Sequence, residues 1–328
     1  IVITLTESGY ITRLPVDTYR SQRRGGRCVQ GMGTNEDDFV EHLLQTSTHD
    51  TLLFFTSKGR VFKKKGYEIP EFNRTAKGIP LINLIELEEN EHVTTFIPIS
   101  EIDEEEEQYL LFATKNGIIK RSSITEYRNI RSNGLIALTL RGDDELISVR
   151  LTDGETDVLM ATKSGMAIRF PEKDARVMGR TAGGVIGIRL RNEDEFGGMD
   201  TISEGEEVLV VTEKGYGKRT EEEEYREQKR AGYGLKTLHV TEKNGSLVAM
   251  TIVKGNEDLM IMTIGGVLIR IKVEDISTFG RNTQGVRLIR LDEGEAVATV
   301  AVVEEMEIED ETDQVEEEVT LVEEQTTE

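Results

Sequence analysis

The sequence predicts an all-β fold, a six-bladed, propeller-like disc of four-stranded blades. Three observations carry that reading. A hairpin signature recurs six times, its spacing is nearly constant, and the composition suits short strands joined by turns, with 31 Gly, no Trp and 5% aromatic residues in 328. Six matches at regular intervals do not arise by chance, so the repeat defines the architecture.

The signature is an apolar run, a Thr, two residues, a Gly and a second run. Its copies are ITLTESGYITR (3–13), LFFTSKGRVFK (53–63), LFATKNGIIKR (111–121), LMATKSGMAIR (159–169), LVVTEKGYGKR (209–219) and MIMTIGGVLIR (260–270). The marker glycines, Gly9, Gly59, Gly117, Gly165, Gly215 and Gly266, are spaced by 50, 58, 48, 50 and 51 residues. T-x-x-G between two strands predicts a tight hairpin turn with Gly in the positive-φ place.

A second marker, Arg-x-x-x-Gly-apolar, follows after a loop. It appears as RTAKGI from Arg74, RTAGGV from Arg180, RAGYGL from Arg230 and RNTQGV from Arg281, with a shortened RSNGL from Arg131. The apolar residue is expected to open a third strand, such as 79–87 (IPLINLIEL) or 286–291 (VRLIRL). A fourth follows, such as 92–99 or 296–303. Six such sheets cannot each bury two faces alone, but radial closure packs each on its neighbours and leaves only short edges. The repeats leave strand order within a blade open, between ordinary propeller and variant topologies. The disc is expected over 1–303.

The formal charge is -22, and its distribution is uneven. Residues 304–328 hold 13 acidic residues and no Lys or Arg, and a stretch such as EEMEIEDETDQVEEE predicts a disordered acidic tail. The run EIDEEEE (101–107) lacks the glycine and spacing of a calcium loop, so no metal site is expected. A single cysteine, Cys28, excludes an internal disulfide and suits a reducing, cytoplasmic setting. No apolar run approaches the roughly 20 residues of a membrane span. The opening IVITLTESGY starts directly in strand-like sequence, as expected of a fragment of a longer polypeptide. No G-x-x-x-x-G-K-[ST] pattern occurs, and no catalytic residues, cofactor or small-molecule substrate are expected.

Against this acidic background the cations are placed regularly. The fourth residue after each marker Gly is basic: Arg13, Lys63, Arg121, Arg169, Arg219 and Arg270. Period-two counting puts this set on a face with apolar residues, so two roles stay open, ion pairing within the blade or phosphate contact at a strand end. With the second-marker arginines and neighbouring basic residues, the candidate rim set is Arg20, Lys63, Arg74, Lys77, Lys120, Arg121, Arg131, Arg180, Lys218, Arg219, Arg230 and Arg281. Aromatics in the connecting loops (Tyr19, Phe72, Tyr127, Tyr225, Phe279) are expected to anchor loop to sheet, with base stacking as the alternative. A ring with a cationic patch on each blade suits duplex DNA, since phosphate contacts spread around a rim can offset the roughly 1–6 kcal/mol of smooth bending.

One stretch, SQRRGGRC (21–28), has three arginines and two adjacent glycines with no acid among them. Its core, Gln22, Arg23, Arg24, Gly25, Gly26, Arg27 and Cys28, resembles the gyrase-A box, Q-R-R-G-G-[R/K]-G, of the DNA gyrase A C-terminal domain family. VQGM after the box, LLFFTSKGRVFKKKGYEIPE, GYGKRT and GVRLIRL are similar to the Gram-positive form of that domain. The resemblance covers the chain to about Val303. It implies a six-bladed β-pinwheel in which strands pass between neighbouring blades, and which wraps duplex DNA in a right-handed sense for ATP-dependent negative supercoiling. It implies as partners the remainder of the gyrase A polypeptide and the gyrase B polypeptide in an A2B2 assembly, and a cytoplasmic, nucleoid-associated location. Mg2+ and ATP would be used elsewhere in that assembly. Residues 22–27 match the box position by position. Cys28 departs from it, standing where other repeats have Gly78, Gly184, Gly234 and Gly285. The alternatives are the similar domain of topoisomerase IV, which lacks an intact box, and a propeller-like platform for protein partners.

Overall fold

The computed structural model describes residues 1–16, 29–30, 38–73 and 76–303. Six four-stranded antiparallel sheets form the blades. From the centre outwards, blade 1 runs Val40–Gln45, Val2–Thr6, Tyr10–Leu14 and Ile79–Pro80, and blade 2 runs Val93–Ile99, Thr51–Thr56, Arg60–Lys65 and Leu135–Ile136. Blade 3 is Leu146–Thr152, Tyr109–Thr114, Ile118–Ser123 and Val185–Ile186. Blade 4 is Phe196–Ile202, Asp157–Thr162, Met166–Pro171 and Leu235–Lys236. Blade 5 is Leu247–Val253, Glu207–Thr212, Tyr216–Glu221 and Val286–Arg287. Blade 6 is Val297–Val303, Asp258–Thr263, Val267–Lys272 and Val29–Gln30.

The outer strand of every blade therefore comes from another repeat. The stretches expected as long third strands, 79–87 and 286–291, pair over two residues only, Tyr10↔Pro80 with Ile11↔Ile79 and Tyr216↔Arg287 with Gly217↔Val286. They pair with the preceding blade. After Pro80 the chain leaves the ladder in a 3-10 turn, Leu81–Asn83, and Leu81 is buried in the core. The same exchange closes the ring, because Val29–Gln30 of the first repeat pairs with Leu268 and Val267 of blade 6. The inner strands of blades 6 and 1 also pack together.

The hairpin signature has a direct physical basis. In all six turns the Thr hydroxyl accepts from the amide of the residue after the marker Gly, at 3.1–3.2 Å. These threonines are at most 2% exposed. Each therefore satisfies a backbone donor of the turn, part-buried in five copies and buried in the Tyr216 copy, that Val would leave without this acceptor. The marker Gly has φ between 78 and 93° in every copy, and a Cβ on Gly117 would stand 2.5 Å from the Ile188 carbonyl oxygen.

Part of the acidic surplus is also structural. Asp38, Asp144, Asp194 and Glu295 each accept from a backbone amide of a hairpin turn, at 2.8–3.0 Å. The core consists of apolar clusters, most of them between neighbouring sheets, such as Leu111, Ile119, Met160, Ile168 and Phe170 between blades 3 and 4. The loop anchors sit ten residues after the marker Gly: Ile69, Tyr127, Ala175, Tyr225 and Ile276 are each at most 2% exposed. Phe72 and Phe279, expected to anchor, stand three residues further on; Phe279 is exposed. Tyr19 lies outside the described residues.

Candidate nucleic-acid interface

The recurring basic residue four places after the marker Gly is mostly a fastener. Arg121, 7% exposed, donates from Nε to the Ala175 carbonyl at 2.8 Å and lies over the Tyr109 ring. Arg169 pairs with Asp157 at 2.8 Å and with Glu222 of the next repeat at 2.6 Å. Arg219 pairs with Glu207 at 2.9 Å and donates to the Ile276 carbonyl at 2.7 Å. Arg270 meets Asp258 at 2.6 Å with both side chains buried, and Arg13 reaches Glu71 at 3.5 Å. Of the two roles left open by the sequence, pairing within the fold describes these five. Lys63 differs and is exposed.

Two lysines of the candidate rim set are likewise interior. Lys218 is fully buried, its ammonium 2.8, 2.7 and 3.1 Å from the carbonyl oxygens of Gly280, Arg281 and Thr283. Lys120, also fully buried, donates to the Ala137 carbonyl at 2.7 Å and to that of Arg180. Burial pushes the Lys120 ammonium down to about 7 and that of Lys218 down to about 8. Lys120 and Arg121 thus tie blade 3, and Lys218 and Arg219 tie blade 5, to the loop of the next repeat, which corrects their placement on an open rim.

The second-marker arginines form a chain of their own. Arg180 donates to the carbonyl of Ile136, Arg230 to that of Ile186 at 2.5 Å and Arg281 to that of Lys236 at 2.8 Å. Each ties its loop to the outer strand of the blade before, and each stays half-buried. Arg131 is exposed, and Lys77 lies 4.1 Å over the Tyr10 ring. Arg20, residues 22–28 and Arg74 lie outside the described residues, although the strand that directly follows residue 28 is fixed on blade 6.

A different series faces solvent. The outer strands and the loops after them carry Arg141, Arg189, Arg191, Lys236, Arg287 and Arg290, all exposed. Among the described residues none of these six forms an ion pair. Their backbone is held by buried neighbours such as Leu138, Ile188 and Leu288.

The model of the DNA gyrase C-terminal domain, a β-propeller, matches residues 1–47, 50–100, 108–153, 156–196, 206–254 and 257–304. The chain belongs to the DNA gyrase C-terminal domain family. The DNA gyrase A protein of Halalkalibacterium halodurans is 62% identical over 319 residues, covering 97% of this chain and 38% of that protein. Its Staphylococcus aureus counterpart is 54% identical over 330 residues, 100% of this chain and 37% of that protein. The chain thus spans little more than a third of the length of these relatives. A solved DNA gyrase A C-terminal domain superposes with a TM-score of 0.83 at 26% identity, covering 92% of this chain and 99% of that one. The C-terminal domain of a DNA topoisomerase IV superposes with a TM-score of 0.72 at 27% identity, covering 98% and 97%.

In this gyrase-family disc the exposed series does not show as a cation at a fixed offset, because its positions are not basic in every repeat. The available signal was alternation: after the second-marker Gly, buried and exposed residues alternate through Leu138-Thr139-Leu140-Arg141 and Ile188-Arg189-Leu190-Arg191. Among the described residues no group of three His, Cys, Asp or Glu side chains is placed to hold a metal ion, and no helix is long and apolar enough to cross a membrane.

Proposed function

We propose that this domain binds duplex DNA along its rim and bends it around the disc, as the wrapping module of a gyrase A polypeptide. The observation that carries the reading is the exposed, unpaired cation series on the outer strands and their loops, repeated from Arg141 round to Arg290. Phosphate contact from such side chains neutralises a polyanion without reading bases, and contacts spread around a curved edge favour a bent path. Lys63, Lys77, Arg131 and the arginines of residues 22–28 would add to that path. The overall acidity does not oppose this, since many carboxylates are turned into hairpin turns and ion pairs.

In the whole protein the domain would present the wrapped segment to the remainder of the gyrase A polypeptide and to gyrase B, in the cytoplasm at the nucleoid. The cutting and ATP-driven steps, with their Mg2+, would belong to those parts, and this domain would have no catalysis of its own. Sequence supports gyrase over topoisomerase IV through the Q-R-R-G-G-R run at 22–27. The test is a binding series against duplexes from about 20 to about 200 bp at several salt concentrations. Wrapping requires that duplexes beyond about 100 bp bind more tightly than short ones and that affinity falls steeply with salt. Equal affinity for all lengths would refute wrapping, and absence of binding at low salt would refute the DNA reading.

A further inference from the structure

Among the described residues, blade 5 carries a feature that the other blades lack in full. Tyr216, directly after marker Gly215, is largely buried at the foot of a cleft of about 630 Å³ lined by Lys243, Arg287 and Arg290, with Lys214 at its edge. Arg287 donates from Nη2 to the Tyr216 hydroxyl at 3.1 Å, and its guanidinium carbon is 5.5 Å from the ring centroid. The Lys243 ammonium is 5.8 Å from the same ring. Lys214 is held in place by the Glu242 carbonyl. One tyrosine therefore orients two cations by its π-face and its hydroxyl.

Two carboxylates border the cleft, Asp292 and Glu295. Glu295 is turned to blade 6, where it accepts from Thr263 Oγ1 at 2.9 Å and from the Gly265 amide at 2.8 Å. Among the described residues, four cations thus face one carboxylate, Asp292, that forms no ion pair. The shape and charge suit a tetrahedral dianion or a phosphodiester, and the cleft is too open to enclose a small molecule. Blade 1 has the equivalent Tyr10 and one cation over it, Lys77, but its outer strand places Pro80 where blade 5 has Arg287.

We propose that the Tyr216 cleft is a dedicated seat for the phosphodiester backbone of duplex DNA. Position supports this occupant. The outer strand of the next blade is Val29–Gln30, which directly follows the Q-R-R-G-G-R-C run, so the cleft lies one blade from the point where that run joins the ring. The proposal rests on the DNA-binding reading above.

The test uses the full chain and the exposed pair Lys243→Gln with Arg290→Gln. A duplex of about 150 bp is titrated against wild type and double variant across a salt series, and Tm is measured for both. Losing two phosphate contacts should weaken binding at least about tenfold near physiological salt and lower the slope of log K against log salt by about 2, with Tm unchanged. Charge reversal, Lys243→Glu with Arg290→Glu, should deepen the loss. If wild type binds and both variants match it in affinity and slope, the cleft is refuted while the DNA reading stands. If wild type itself fails to bind at low salt, both fall together. Binding of inorganic pyrophosphate that does not compete with duplex would assign the cleft to a free anion and overturn the proposal.

Discussion

Lys218 of blade 5 reaches Thr283 in the loop of the next repeat, its ammonium 2.9 Å from the Thr283 hydroxyl and 3.1 Å from the same residue's carbonyl oxygen. With the carbonyls of Gly280 and Arg281 it fixes the loop that leads into the outer strand. Lys218→Met would leave these part-buried acceptors without their donor, a cost of about 1–3 kcal/mol. The expected outcome is a lower Tm with DNA affinity unchanged for the molecules that remain folded. Unchanged Tm with weakened DNA binding would return Lys218 to the rim.

Burial rather than distance sets the worth of an ion pair here. Arg270–Asp258 and Lys163–Glu195 are both 2.6 Å apart, yet the first pair is buried and the second about half exposed. Asp258→Asn removes the carboxylate of a buried ion pair with Arg270 and should cost about 3–5 kcal/mol. Glu195→Gln should cost about 0–1 kcal/mol for the lost ion pair. Urea midpoints of the two variants decide it, and similar losses would contradict the buried pair's role.

The repeats made the ring legible because period, turn and strand alternation are local properties. Thr212 and Gly215 mark a turn whatever surrounds them. Strand exchange was not local: nothing within VRLIRL distinguishes a six-residue strand from the two-residue ladder that Val286 and Arg287 form on blade 5. The same limit affected the candidate site. Arg121 and Arg141 look alike as residues, and only the packed neighbour, Ala175 for Arg121, separates a fastener from an exposed cation. Aromatic anchors stand where expected at Tyr127 and Tyr225 but not at Phe279, because the buried position there is filled by Ile276.

Lys120 predicts a pH dependence of stability. Burial takes its folded value down to about 7, against 10.5 for an unhindered lysine. Between these values the unfolded chain binds a proton that the folded one has released, so stability should rise as pH climbs from about 7 towards about 10. Lys120→Met removes that contribution, so wild type should gain unfolding free energy relative to the variant from about pH 7 to about pH 9. Above about pH 10 the stability of both proteins should fall instead, since burial pushes the Tyr225 hydroxyl up to about 12 and the unfolded state then loses its proton first. Wild type losing unfolding free energy relative to the variant over the same interval would contradict a suppressed Lys120.

Arg189 and Arg191 test the exposed series away from the Tyr216 cleft. Both side chains are exposed, Arg189 near the Ala231 carbonyl and Arg191 over the Tyr233 ring at 5.0 Å. Arg189→Gln with Arg191→Gln should leave Tm within a degree or so and reduce the salt slope of duplex binding by about 1–2. The loss should be larger for duplexes beyond about 100 bp than for those of about 20 bp, because mid-rim contacts are engaged only by DNA that follows the curve. A loss equal for both lengths would place these arginines outside the wrap.

Residues 304–328, with 13 acidic side chains, directly follow the last inner strand, Val297–Val303, in the chain. Tethering would give a segment of this length a high effective concentration at the cations of the disc, where it would compete with phosphate. Removing 304–328 should therefore strengthen duplex binding, most at low ionic strength, and the advantage should fade as salt screens the tail. The comparison is one of dissociation constants for the full and shortened chains over a salt series. Equal constants at low salt would leave the tail as a solubilising extension with no hold on the rim.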